Sequence, residues 1–478
     1  MELEDYKNWS NRATEWSNEY LLNLKDRPVR PNIKPGSIMS LLPKKPPENA
    51  EDPEVIFSDF EKIVPDAMTH WQHPRFFAYF PSNASVASIV AEQLVNTIAA
   101  QCMLWQTSPA ATEIEQVMDQ WLASALGLPE HFTGTIHDAA TTATLSAVLT
   151  MRELALGHSG LETGLFQQKP LRIYSSAQTH SSIDKAVRLS GIGQNNLIKI
   201  KTDDNFSMKS DLLEKAILDD ISNGLQPAGI VICVGGTSIG AFDDVKSIIS
   251  VAKKYKLYTH VDAAWAGSAM ICPEYRTLWA GIEDADSIVF NPHKWLGAQS
   301  DCSIQFLADP TAQINTLGLR PDYLQTLEQD EVTNFNEWTI PLGRRFRALK
   351  LWFLLRAYGL NGLRERIRNH IKWVEELEKK LDSNPKFTIV TSSRLALFTF
   401  QYTPVDQDPN HATEELLKNI NNDGTIYLTQ TMHEGKFVIR MTAGQFYCTR
   451  EDVMTVYEVL KKLENNELPS FFMLTLQN

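Results

Sequence analysis

Apolar positions along the chain fall into short runs separated by helical patterns. LRIYSS (171–176), NLIKI (196–200), GIVICV (229–234), LYTHVD (257–262) and SIVFN (287–291) read as buried strands. Between them lie amphipathic stretches such as DDVKSIISVAKKY (243–255), which turns Val245, Ile248, Ile249 and Ala252 to one side. This alternation predicts an α/β fold, a mainly parallel sheet flanked by helices on both faces. A further helix is predicted from Thr112, where Thr112 and Glu115 have capping-box spacing. Ile114, Val117, Met118, Trp121, Leu122 and Ala125 then share a face, and Gly127 with Pro129 ends it.

The pattern divides the chain into three expected regions. Residues 1–85 contain RPVRPNIKPG (27–36) and LLPKKPPENAEDP (41–53), too rich in proline to build a core. Such a segment must lie on another surface, either the main domain or a partner subunit. Residues 86–370 form the large alternating domain. From 371 to 478 a charged helix (HIKWVEELEKKL) leads to the strands FTIVTSS and LALFTFQY. The helix ATEELLKNI, more strand and a last helix (DVMTVYEVLKKLE) then make a small α+β domain.

Composition narrows the function classes. With 43% hydrophobic and 22% charged residues over 478 positions, wholesale disorder is excluded. A net charge of −13 argues against nucleic-acid binding, which needs a basic face. The N-terminal MELEDYKNWSNR lacks a signal-peptide pattern, and no apolar run approaches the ~20 residues of a membrane helix. Cys102, Cys233, Cys272, Cys302 and Cys448 are scattered without a C-x-x-C pair, so neither disulfides nor a metal site are expected. A reducing cytoplasm is the expected compartment.

Four candidates for chemistry lie where predicted strands end. Lys294 in NPHKW follows an apolar strand among residues that solvate charge poorly; desolvation makes a lysine a usable nucleophile or Schiff-base former. Asp262 in THVDAAWAG is followed by Ala263, Ala264, Ala266 and Gly267, small enough for the backbone to approach a flat ring. HDAATTATLSAVL (137–149) opens a helix with Ala139, Ala140, Thr141 and Thr142, whose amides suit a phosphate. His180 in SSAQTHSSIDKA could stack on such a ring. Singly, each has a plainer reading: a surface lysine, a helix cap, a small-residue helix start, a capping histidine. Jointly they fit pyridoxal 5′-phosphate.

The chain resembles the group II pyridoxal-phosphate-dependent decarboxylases, specifically the aromatic L-amino acid decarboxylase family. The similar segments include THWQHPRFFAYFP (69–81), SPAATEIE (108–115), HVDAAWAGSAMICPEYR (260–276), FNPHKWL (290–296) and WTIPLGRRFRALKLW (338–352). The resemblance implies the fold type I, aminotransferase-like architecture and a homodimer whose N-terminal segment wraps the partner. It implies that Lys294 carries the cofactor as an aldimine, that Asp262 pairs with the pyridine nitrogen and that His180 stacks on the ring. Ala140, Thr141 and Asn291 would hold the phosphate; Thr237 and Ala264 lie near the cofactor, Asp243 belongs to the same block as Thr237, and His293 sits over the reacting centre. Trp71, Tyr79, Phe80 and Pro81 match the substrate-pocket wall, with Gln101 and Met103 reaching it from the partner subunit.

The implied reaction is decarboxylation of an aromatic L-amino acid of the Tyr, Trp, Phe or DOPA class to an amine. One departure opens an alternative. In the loop 325–338, Phe335 occupies the place of a tyrosine that helps protonate the α-carbon in amine-forming members. Relatives with phenylalanine there resemble aldehyde synthases, which consume O2 and give aldehyde, NH3, CO2 and H2O2. Two further departures bear on pocket preference: Gln101 and Met103 replace more apolar or aromatic residues, and Thr142 stands where glutamate is common.

Overall fold

Seven strands make the central sheet of the computed structural model, which describes residues 1–319, 321–324 and 331–464. They are β1 (Thr133–His137), β2 (Leu171–Ser176), β3 (Leu197–Ile200), β4 (Gln226–Cys233), β5 (Tyr258–Asp262), β6 (Ser287–Phe290) and β7 (Ser303–Leu307). Their order is β1-β7-β6-β5-β4-β2-β3. Only β7 runs against the rest, pairing antiparallel with both β1 and β6. The remaining strands therefore all end at one edge. The five runs read as strands from the sequence are β2 to β6; β1 and β7 carry polar residues inside the sheet and gave no such signal.

Helices cover the sheet, as expected for buried parallel strands. Val148, Met151, Ile173, Ile183, Val187 and Val231 form one buried cluster between helices and sheet, each contributing roughly 1.5–3 kcal/mol. At Gly229 a Cβ would lie 2.4 Å from Met151 Sδ, so only glycine lets the helix Ala140–Ala155 approach β4 this closely. Helix Val245–Tyr255 buries Val245, Ile248, Ile249 and Ala252, and Asp244 caps it by accepting from the Ser247 amide.

The helix expected from Thr112 begins earlier, at Pro109, and runs to Leu126. Pro109 is preorganised for the first helical turn, and the Thr112 hydroxyl donates back to the Ser108 carbonyl rather than capping. Its buried stripe is Ala111, Glu115, Met118, Leu122 and Ala125, while Val117 and Trp121 are exposed. The stripe is rotated because Glu115 is drawn inward by a buried arginine.

Contacts divide the chain into two units. One comprises residues 82–371 and 393–397; the other comprises residues 1–81, 372–392 and those from 398 onward. The second unit contains the sheet β10-β11-β9-β8, formed by β8 (Phe387–Arg394), β9 (Leu397–Tyr402), β10 (Thr429–His433) and β11 (Lys436–Thr442). Glu434 and Gly435, both with positive φ, make the two-residue turn that joins β10 to β11. Near the N-terminus, helices Tyr6–Leu22 and Pro53–Ile63 bury none of their residues. They meet through Trp9 stacked on Phe57 at 5.2 Å and Trp16 edge-on to Phe60 at 4.8 Å. Among the described residues no helix is long and apolar enough to cross a membrane.

Candidate active site

The parallel strands deliver their carboxyl ends to one edge of the sheet, where ligands gather in such folds. There the segments after β1, β2, β4, β5 and β6 enclose a cavity of about 200 Å3. After β1 come Ala139, Ala140 and Thr141; after β2, His180 and Ser182; at and after β4, Cys233, Gly235, Gly236 and Thr237. Asp262 and Ala264 follow from β5, and Asn291 and Lys294 from β6. Lys294, Asp262, His180, Ala140, Thr141, Thr237, Ala264 and Asn291 are thus brought together.

The helix after β1 starts at Ala140. Its cap residue, Ala139, has no side chain that can accept a hydrogen bond. The Ala140 and Thr141 amides precede the first helical bond, from Thr142 N to Ala139 O at 3.1 Å. Amides in that place face an anion favourably. His180 is the N-cap of helix Ser181–Leu189, its Nδ1 accepting from the Ser182 amide at 3.1 Å. A neutral His180 therefore carries its proton on Nε2. The surrounding protein lowers its pKa although one face is open to solvent; Asp262 opposes the shift and Lys294 adds to it.

Asp262 is nearly buried, and its Oδ1 accepts from the Ala264 amide at 3.1 Å. Across the ladder it lies beside Cys233. Asn291 is fixed by the Ser303 hydroxyl, which donates to its Oδ1 at 2.6 Å. Lys294 sits in a tight turn with φ −90° and ψ −107°; its amide donates to Asn291 O at 2.9 Å, and its carbonyl accepts from Asn83 Nδ2 at 2.7 Å. Gly235 has φ +85°, and a Cβ there would lie 2.4 Å from the Ala266 methyl. This loop must be glycine to lie flat against the cavity. Asp243, from the Thr237 block, holds the end of β4 by accepting from the amides of Cys233 and Met208, both at 2.7 Å.

His293 is not among the cavity-lining residues. Its Nδ1 accepts from the Cys302 amide at 2.9 Å, and burial, with the Lys294 charge adding, pushes its pKa down to about 4. Ala139, from the expected phosphate turn, lines the cavity, whereas Ser182, Cys233, Gly235 and Gly236 were missed. The glycine pair directly after a strand was the available signal; a buried cysteine gives none.

Gln101, Met103 and Phe335 meet elsewhere in the same unit and do not line this cavity. Gln101 Oε1 accepts from the Arg344 amide at 2.7 Å, and the Asn336 amide donates to Met103 O at 3.1 Å. Phe335 is buried in a short turn, its ring centroid 4.8 Å from the Arg344 guanidinium and 5.6 Å from Trp338. Arg344 is itself buried, paired in fork geometry with Glu115 at 2.5 and 3.1 Å. Of the loop 325–338, residues 325–330 lie outside the described residues.

Trp71, Tyr79, Phe80 and Pro81 belong to the other unit. Trp71 and Tyr79 stack at 5.6 Å with 39% and 45% of their surface exposed, an open aromatic face. Phe80 is buried against Gly444, where a Cβ would come within 2.8 Å of its ring. The Tyr79 carbonyl accepts from Arg440 at 3.0 Å, which stabilises a backbone with φ +54°.

The chain is similar to known proteins over nearly its whole length. Residues 35–403 match the pyridoxal-dependent decarboxylase conserved domain. Tyrosine decarboxylase 2 of Arabidopsis thaliana is 38% identical over 479 aligned residues, covering 97% of this chain and 87% of the relative. The Oryza sativa TDC structure with PLP and tryptamine superposes with a TM-score of 0.94 at 32% identity, covering 98% and 99% of the two chains. Rhodiola rosea 4-hydroxyphenylacetaldehyde synthase gives 0.91 at 32% identity, covering 98% and 100%.

Proposed function

We propose that this chain, which belongs to the pyridoxal-dependent decarboxylase family, removes the carboxyl group of an aromatic L-amino acid as CO2. It is a pyridoxal-phosphate-dependent carboxy-lyase of fold type I. The observation that carries the residue roles is the convergence of five strand ends on one cavity. An uncapped helix start, a lysine, a carboxylate and an imidazole together fit a phosphorylated pyridine aldehyde. When bound, the cofactor supplies a conjugated ring that accepts the electron pair released as CO2 leaves.

In this reading Lys294 would hold the cofactor by its amine. Asp262 would pair with the ring nitrogen, and His180 would stack on the ring with its Nε2 proton free to donate. Ala140, Thr141 and Asn291 would take the phosphate, with Thr237 and Ala264 near the cofactor. Trp71, Tyr79, Phe80 and Pro81 provide aromatic selectivity, and His293, Gln101 and Met103 complete the substrate's surroundings. A second copy of the chain completes the enzyme as a homodimer. Supporting this is the N-terminal segment, which leaves Leu22, Met39, Leu41, Leu42, Val55 and Ile56 exposed. Five free, buried cysteines suit a cytoplasmic enzyme.

A specific observation favours a second outcome after CO2 loss. Phe335 has no hydroxyl to return a proton, and an aldehyde synthase is among the close structural relatives. In that branch the substrate consumes O2 and water and gives an aldehyde, NH3 and H2O2 besides CO2. Incubation of the holoenzyme with L-tyrosine, L-tryptophan, L-phenylalanine and L-DOPA, with CO2, amine, O2 and peroxide measured together, tests both readings. CO2 release from none of the four overturns the proposed function. Amine without O2 uptake removes the aldehyde branch. If that branch operates, Phe335→Tyr shifts product toward amine.

A further inference from the structure

A line of polar side chains runs through the core of the large unit between the cofactor cavity and the Phe335 segment. It begins at Gln313 on helix Thr311–Leu317, whose Nε2 donates to the Trp338 carbonyl at 2.8 Å. Trp338 closes the short turn that carries Phe335. Gln313 and Gln305, on β7, face each other as a reciprocal amide pair, each donating to the other at 3.0 Å. The second Gln305 amide hydrogen goes to Ser287 Oγ at 2.9 Å, and its Oε1 also meets His137 Nε2 at 2.9 Å. Ser287 Oγ lies 2.8 Å from His260 Nδ1, and His260 Nε2 lies 3.3 Å from Thr144 Oγ1. His260 shares a face of β5 with Asp262, and Thr144 is one turn inside the helix that Ala140 opens.

Each of these six side chains is buried, Gln305 and Gln313 to 0% exposure. These hydrogen bonds fix the orientation of both amides and the tautomer of His137. Both amide hydrogens of each glutamine are used, so Gln313 can only present a donor to Trp338. His137 must carry its proton on Nε2 to meet Gln305 Oε1, which leaves its Nδ1 unpartnered. Ser287 accepts from Gln305, and His260 bridges Ser287 to Thr144 in either of its tautomers. A buried polar line of this kind is costly wherever one member is missing, and packing alone would be met by leucines.

We propose that Gln313 and Gln305 are positioning residues for the catalytic-loop segment, anchoring its main chain at Trp338 to the strands and helix that form the cofactor cavity. The anchor sets where Phe335 stands, and so rests on the reading that Phe335 bears on product outcome. Gln313→Leu leaves the Trp338 carbonyl and part of Gln305 unsatisfied. The double replacement Gln305→Leu/Gln313→Leu removes the amide pair as a unit, takes a partner from His137 Nε2 and Ser287 Oγ as well, and cannot restore the tether.

The test compares the two variants with the parent holoenzyme by hydrogen–deuterium exchange of peptides spanning residues 333–340, thermal melting, and kcat, KM and product ratio. The expected result is faster exchange of that segment and a lowered melting temperature in both variants. In both, kcat falls by about tenfold or more at little-changed KM, with an altered amine-to-aldehyde ratio. Parent-like exchange of 333–340 in the double variant overturns the anchor, whatever substrate the enzyme proves to use. Faster exchange with unchanged kcat and product ratio overturns the positioning role. Failure of the proposed function would show instead as absent CO2 release by the parent.

Discussion

Neutralising Glu115 should cost less than the geometry around it suggests, because a second buried carboxyl stands ready to replace it. Glu115 and Arg344 are each 3% exposed and form a two-point ion pair. Glu115 Oε1 also accepts from the Ile136 amide at 2.9 Å, and Arg344 donates to Ile136 O at 2.8 Å. Breaking such a buried pair costs about 3–5 kcal/mol, mostly the penalty of an unmatched buried charge. Asp119 lies one helical turn along, buried, with both carboxyl oxygens unpartnered. Burial first, then the Glu115 charge, raises its pKa well above the usual carboxylate range, with Arg344 opposing.

Glu115→Gln removes the raising charge and leaves Arg344 unmatched, so Asp119 ionises in its place. The expected loss is then about 2 kcal/mol rather than the full amount. Asp119→Asn alone, replacing a neutral acid by a neutral amide, should stay within about 1 kcal/mol. The double variant should lose about 3–5 kcal/mol, more than the sum of the singles. Denaturant unfolding of the four proteins at matched cofactor and protein concentration measures this cycle. The pH dependence gives an independent sign. In the parent, folded Asp119 keeps a proton that the unfolded chain releases above the ordinary carboxylate range, so it lowers stability as pH rises above that range. Glu115→Gln should weaken that trend. Strict additivity, with an unchanged pH trend, would refute the substitution of one carboxyl for the other.

Three further outcomes are expected. Gly235→Ala forces φ +85° on a residue with a Cβ and drives its methyl to 2.4 Å from Ala266; titration of the apoprotein by absorbance should show cofactor affinity weakened about tenfold or more. Lys294→Ala should fold and melt like the parent but lack the Schiff-base absorption band and release no CO2; a retained band would remove Lys294 from its assigned role. Burial holds His73, His137, His260, His293 and His370 at pKa values of about 4, 3, 4, 4 and 3. Unfolding between pH 6.5 and about 4 therefore takes up protons at these sites, and their contribution to stability falls as pH drops through that window. Asp119 and Asp243, the latter raised by burial to about 7, act in the opposite sense. Net proton uptake on unfolding at pH 5.5 is expected; net release would contradict the dominance of the histidines.

The strands β2 to β6 were legible because each is a short run rich in apolar residues and bounded by turn residues. Lys294, Asp262 and His180 were legible for a related reason: each sits where such a run stops, and parallel strands stop at one edge; the Ala140–Thr141 turn was legible as small residues opening a helix. The rotation of helix Pro109–Leu126 was not legible. Its inward Glu115 answers Arg344, more than two hundred residues away, and periodicity treats an acidic residue as outward. Strands β1 and β7 were hidden similarly, since His137 and Gln305 satisfy each other across the sheet and read alone as surface residues.

The sequence by itself determined the class of sheet, the cofactor chemistry and the candidate residues for it, because these depend on local pattern and residue type. Tertiary structure alone decided that those residues share one cavity, that Phe335 lies buried on the Arg344 guanidinium, and that a polar line joins its segment to the cavity. Hydrogen bonds and ion pairs between distant positions carry no periodic trace. Their cost is offset only when folding places both partners in the same dry interior.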